Sequence, residues 1–236
     1  MVRTAGKQKL LRELVGSALL VGMSAVAVMA VCRQPHPRVC TEFYDSAAVF
    51  TGKVVAVRND PPEEQNPEGW FYRIRVEKSF RGPSGPFIEV YTGNDSARFP
   101  LEKNRSYLLF AYDYDNILYV DCCGNSGFLK DSAELIHQIE EIQNTRSGGE
   151  IAGRVGWGDA PGFAGVRIVA LGKTHTYETR TDAKGRFHMK VPEGEYRVRA
   201  NAPGGGHYLP FDLTYDNPDH IVVQPGGCPQ MQFMPQ

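Results

Sequence analysis

Residues 181–196 read TDAKGRFHMKVPEGEY, and the rest of the chain is sorted by how this stretch is understood. Asp182-Ala183-Lys184-Gly185 has the composition of a tight turn. Beyond it, Phe187, Met189 and Val191 alternate with Arg186, His188 and Lys190. A period of two marks a strand with one buried face. Pro192-Glu193-Gly194 makes a second turn, and Tyr196, Val198 and Ala200 resume the alternation. His188 belongs to the polar set and is expected in solvent. These short strands between turns predict a β-sandwich.

Working outward, the same period appears at Ile151–Trp157 and Val166–Leu171, and shorter runs lie at Asp219–Val223 and Met231–Met234. Seven or so short strands suit a sandwich. The spacing T-D-x-x-G-x-F followed by P-x-G-x-Y resembles the carboxypeptidase regulatory-like domain, a transthyretin-like β-sandwich, over about Gly149–Gly204. The resemblance implies a scaffold. The zinc-binding catalytic domain that accompanies such modules in metallocarboxypeptidases has no counterpart in this sequence.

Upstream, Asn144–Gly149 (NTRSGG) reads as a polar linker, so a first module is expected over 31–143 and a second over 150–236. The first module carries five strand-like runs: Val49–Val57, Trp70–Phe80, Phe87–Thr92, Tyr107–Tyr112 and Ile117–Cys122. Thr41 is a plausible N-cap for a short helix at 41–47. Asp131 and Glu134 have capping-box spacing before the apolar stripe Leu135, Ile136, Ile139 and Ile142. Five strands closed by a helix predict a small OB-like barrel. The fold class expected for the whole chain is therefore mainly β: a signal segment, a five-stranded OB-like barrel with a C-terminal helix, then a Greek-key, transthyretin-like sandwich.

CTEFYDSAAVFTGKV (40–54), VEKSFRG (76–82), NRSYLLFAY (104–112) and a cysteine after the fifth strand resemble the netrin-like domain, the fold of the tissue inhibitors of metalloproteinases. The resemblance covers roughly Cys32–Ile142. It implies protease inhibition as one possible role, through the free amine and carbonyl of an N-terminal cysteine placed on the target's zinc. In this chain Cys32 is followed by Arg33 and Gln34, where the family often has a second cysteine two residues on.

Arg3, Lys7, Lys9 and Arg12 precede the uncharged apolar run Leu14–Val31. This pattern reads as a signal peptide over 1–30, cleaved after Ala30. The rival reading is an uncleaved anchor at 14–31. Lipid attachment at Cys32 would require a small residue in place of Val31. The expected address is secreted or periplasmic, with membrane contact only if the segment stays on.

Five cysteines, Cys32, Cys40, Cys122, Cys123 and Cys228, suit an oxidising compartment. Neighbouring strand residues face opposite sides, so Cys122 and Cys123 are expected to serve different partners. The expected arrangement joins Cys40 to one of them and Cys32 to the other, leaving Cys228 over.

Candidate chemistry is sparse. Gly124-Asn125-Ser126-Gly127 has the look of a protease nucleophile loop but lacks an aspartate before Ser126 and a glycine after Gly127. The six histidines, His36, His137, His175, His188, His207 and His220, contain no H-E-x-x-H and no ligand-spaced pair. Glu63-Glu64 reads as a solvated loop. No catalytic, cofactor or metal site is assigned. His36, Tyr112 and Tyr114 are the candidate contact residues, with Tyr119 on the same hairpin. A formal charge of -1 disfavours a nucleic-acid partner.

The sequence thus predicts an exported, non-enzymatic protein that binds an extracytoplasmic protein or glycan. The alternatives are a metalloprotease inhibitor and, last, a hydrolase using Ser126. We expect the intact mass of the mature protein to correspond to a chain starting at Val31. A mass retaining residues 1–30 would establish the anchor instead.

Overall fold

The computed structural model describes residues 32, 36–62, 65–156, 160–201, 207–212 and 220–234. The proposed signal segment and Glu63-Glu64 lie outside them. Residues Val31–Gln236 form one compact unit, so the two expected modules are parts of a single body.

The first part is a closed barrel. Strands β1 (Ala48–Asp60), β2 (Gly69–Arg81), β3 (Phe87–Gly93), β4 (Ser106–Tyr114) and β5 (Ile117–Tyr119) run in the order β1-β2-β3-β5-β4, and β4 pairs back to β1. All pairs are antiparallel except β3–β5. This is the expected OB-like closure. Phe50, Val54, Tyr72, Ile74, Val90, Tyr107 and Leu109 fill the interior.

At β1 and β4 both faces are covered. Val49, Leu108 and Phe110 point out of the barrel into a second cluster with Val39 and Phe43 of helix α1 (Val39–Asp45) and Ile139 and Ile142 of helix α2 (Ala133–Asn144). That is why residues 48–52 are buried without alternation. The stripe Leu135, Ile136, Ile139, Ile142 is the face α2 uses. Its N-cap is Ser132, not Asp131, which ends a 3-10 turn (Leu129–Asp131). A two-residue strand, β6 (Gly127–Phe128), pairs with β4 ahead of that turn.

The second part is a sandwich of β7 (Gly149–Val155), β8 (Arg167–Gly172), β9 (Thr176–Arg180), β10 (Arg186–Val191), β11 (Gly194–Asn201), β12 (His207–Asp212), β13 (Ile221–Val223) and β14 (Gln230–Met234). Strand β12 pairs first with β11 and then with β14, carrying the chain from one layer to the other. Phe187, Met189, Val191, Tyr196, Val198 and Ala200 all lie in the core between the layers, and His188 is exposed. In the deciding turn, Asp182 Oδ1 accepts the backbone N–H groups of Lys184 and Arg186, each at 2.8 Å. Gly185 takes φ +74°, a conformation that costs glycine least. Strands β9 and β12 were not marked by the sequence pattern.

The cysteine expectation needs correction. Cys40 is bonded to Cys228, and Cys32 to Cys123, while Cys122 is free. Cys228 is therefore not left over; it joins the sandwich to α1. Around it, Thr41 Oγ1 donates to Cys228 O at 2.6 Å, and Tyr44 donates its hydroxyl to Pro225 O at 2.5 Å. Arg38 N donates to Gln230 Oε1 at 2.7 Å, and the Arg38 guanidinium pairs with Glu150. Thr41 is thus inside the helix rather than its cap, which is Arg38. Strand β5 is shorter than expected, so neither Cys122 nor Cys123 lies in a strand.

The Cys40–Cys228 bond spans 188 residues. A cross-link closing so long a loop restricts the unfolded chain strongly, by about 2–5 kcal/mol. We expect Cys40→Ser/Cys228→Ser to lose stability in that range in denaturant unfolding. A midpoint equal to that of the wild type would show that the polar contacts at the seam suffice.

Candidate functional site

The barrel's outer wall carries a row of aromatic side chains that strand pairing brings to one level. Arg58 of β1 is opposite Phe71 of β2, and Phe71 is opposite Tyr91 of β3. Tyr91 is opposite Tyr119 of β5, and Tyr119 is opposite Tyr112 of β4. Paired residues share a face of a sheet. Their chain neighbours Tyr72, Val90, Val120 and Ala111 point into the core, so this row points outward.

The rings touch along the row. Phe71 and Tyr91 have centroids 4.9 Å apart, and Tyr91 and Tyr119 6.1 Å apart. The Arg58 guanidinium lies 3.8 Å above the Phe71 ring and donates to Glu89 Oε1 at 3.2 Å. Close by, Arg73 lies over the exposed Phe87 ring at 4.3 Å. Tyr91 lies across Gly69, where any side chain would collide with its hydroxyl.

The rim of this row is acidic. Burial raises the Tyr91 phenol, and the charges of Asp60, Glu68 and Asp95 add to the rise. Burial likewise raises Tyr119, reinforced by Asp95 and Asp121. Both phenols therefore stay protonated, donors and acceptors at once, among carboxylates that only accept.

Tyr112 ends the row and has a different task. Its hydroxyl donates at 2.7 Å to Glu42 Oε1, on the α1 side of the barrel. Glu42 is only 1% exposed. Its other oxygen accepts the Asn125 backbone N–H at 2.7 Å and the Asn125 side-chain amide. That amide also donates to Pro37 O at 3.0 Å. His36 stands alongside, with Nε2 at 3.1 Å from Gly124 O and Nδ1 at 3.1 Å from Pro37 O. This cluster pins the 36–38 segment and the 123–126 loop onto α1. Burial pushes the Glu42 carboxyl above its ordinary range, against the opposing pull of Tyr112, Asn125 and His36. Burial, then Glu42, pushes the Tyr112 phenol far up, so it remains a donor.

Of the candidate contact residues, then, Tyr112 and His36 brace the loop. Tyr114 stands at the β4–β5 hairpin tip, 73% exposed, and Tyr119 belongs to the row. Ser126 Oγ accepts from Phe110 N at 2.9 Å and donates to Phe110 O at 3.4 Å. It extends the edge of β4, with no histidine among these partners. The Phe71–Tyr91 contact escaped sequence reasoning, because it depends on register between strands rather than on any local motif.

The Glu42 cluster gives a signed test. A raised carboxyl contributes stability that is complete below its ordinary range, near 4.5, and is lost as pH rises through the raised value. Glu42→Gln removes this dependence but turns an amide N–H₂ toward existing donors, a loss of about 1–3 kcal/mol at low pH. We expect the stability advantage of the wild type over Glu42→Gln, followed by thermal unfolding, to shrink as pH rises. An advantage that grows would place the carboxylate, not the acid, as the favoured buried form.

No family model matches this sequence, and the search of curated proteins found no match.

Proposed function

We propose that this chain is an exported, non-catalytic binding protein that recognises a glycan, or a protein, at the cell envelope or outside the cell. The observation that carries the reading is the row Arg58–Phe71–Tyr91–Tyr119 on the barrel wall. Aromatic and arginine side chains are the residues that dominate recognition surfaces. The partly exposed rings, tilted at 57° and 42° to one another along the wall, offer apolar ring surface, and the outer face of strands 2–3 is where OB-type barrels hold oligosaccharides and oligonucleotides. The acidic rim supplies acceptors for hydroxyl groups and repels phosphates, which favours a neutral glycan over a nucleic acid.

Export rests on the N-terminal segment together with two disulfides, which persist in oxidising compartments. The netrin-like and carboxypeptidase regulatory-like resemblances add two modules of scaffold type. Protease inhibition stands as the alternative, with Cys32 held against the barrel by Cys123 as its support. It requires Cys32 to be the first residue, whereas the preferred cleavage leaves Val31 before it.

The test is affinity electrophoresis of the mature protein in gels containing neutral polysaccharides. We expect retardation by at least one of them and a loss of about tenfold or more in affinity, about 1.4 kcal/mol, in Phe71→Ala and Tyr91→Ala. Phe163→Ala, an exposed ring on the sandwich, should retain binding. Retention independent of the row would contradict the reading, and stoichiometric inhibition of zinc endopeptidases would replace it with the alternative.

A further inference from the structure

On a strand, adjacent side chains diverge. Cys122 and Cys123 escape that rule because β5 ends at Tyr119 and the chain bends. Cys122 N donates to Ala97 O at 2.9 Å, and Cys123 N donates to Asp121 Oδ1 at 2.8 Å, closing a turn. As a result the three Sγ atoms of Cys32, Cys122 and Cys123 all lie within 4.8 Å of one another. Two of them are bonded and the third is a free, solvent-accessible thiol.

We propose that these three cysteines form a thiol–disulfide exchange site, in which Cys122 takes Cys32 over from Cys123. Cys122 gives its proton to solvent, and the thiolate attacks Cys32 Sγ. The Cys122–Cys32 bond forms as the Cys32–Cys123 bond breaks. The electron pair leaves on Cys123 Sγ, which takes up a proton. One disulfide and one thiol stand on each side of the step, so it consumes no oxidant or reductant.

Geometry selects the sulfur attacked. Attack on Cys123 would bridge neighbouring residues, whose Cα atoms are about 3.8 Å apart across a trans peptide. That is shorter than the roughly 4.4–6.8 Å an ordinary disulfide spans. The present bridge has Cα atoms 5.2 Å apart. Attack on Cys32 needs only a change of partner within the same turn. The Cys122 thiol makes a long hydrogen bond, 4.0 Å to Ser96 O, while burial and then the charge of Asp121 push it above the ordinary thiol range, so the exchange is expected to speed up in alkaline solution.

The exchange has a structural consequence. Cys123 precedes Gly124 and Asn125, which hold His36 and Glu42. Moving the tether to Cys122 changes where Cys32 is anchored, next to the point where this loop is clamped. The site therefore connects the covalent state of Cys32 to the packing of α1, independently of any ligand on the aromatic row.

The experiment uses the purified, disulfide-intact mature chain. It is incubated at mildly alkaline pH and quenched with acid. Its free thiol is then alkylated, and the alkylated residue is located by peptide fragmentation. Exchange predicts label on Cys122 at the start and a share on Cys123 that grows to a plateau. Label confined to Cys122 at every time overturns the proposal, and label on Cys32 overturns the stated direction of attack. In Cys123→Ser, exchange geometry predicts a Cys32–Cys122 disulfide with no free thiol, whereas two free thiols would show that Cys122 cannot reach. Should that variant fail to fold, the wild-type time course decides alone.

Discussion

A seven-residue helix cannot persist by its own hydrogen bonds, since nucleation is costly and propagation has no length to repay it. Helix α1 nevertheless sits where the two parts of the molecule meet, and each of its faces is held by something else. Val39 and Phe43 enter the apolar cluster between the barrel and α2. Glu42 accepts from Tyr112 and Asn125. Cys40, Thr41 and Tyr44 are fixed to the sandwich by a disulfide and two hydrogen bonds to backbone carbonyls. The helix is formed by tertiary contacts, and those contacts in turn depend on its staying formed. Loss of any one side removes ordering from the other two.

This arrangement divides the barrel wall into two territories. Where β1 and β4 face the helices, apolar side chains point both ways and the strands read as continuous buried runs. Where β2, β3 and β5 face solvent, the outward positions are free to carry aromatic and charged groups without penalty to the core. The aromatic row runs across the second territory and terminates at Tyr112, whose hydroxyl reaches Glu42 on α1. The outer wall and the helix are therefore joined at Tyr112 by a buried hydrogen bond to a carboxyl group.

Much of the architecture is readable from the chain because it is encoded locally. Phe187, Met189 and Val191 declare their face by alternation, and Asp182 and Gly185 declare their turn by chemistry. Other features are not local. Assigning Cys228 to a separate module hid its partner, because nothing in the sequence around it says that α1 lies against Gly226–Gln230. Extending β5 to Cys122 put Cys122 and Cys123 on opposite faces, when a turn at Asp121 gathers them on one. Tyr112 and Tyr119 lie on one hairpin in the sequence, yet one is a brace for a buried acid and the other part of an exposed row. Only the register with β3, and the position of α1, separates those roles. Strand β12 belongs to both layers and shows no clean alternation in His207–Asp212 that would mark it.

Helix α1 is common to both parts and is ordered by both. Native-state hydrogen exchange measures this directly, because segments that open together share one opening free energy. The amides of α1, of the seam around Gly226–Gln230 and of the barrel strands β1 and β4 are expected to exchange with the same free energy, and reduction of the disulfides is expected to lower all of them together. An α1 that exchanges freely while barrel and sandwich keep their separate, undiminished protection would contradict this joint ordering.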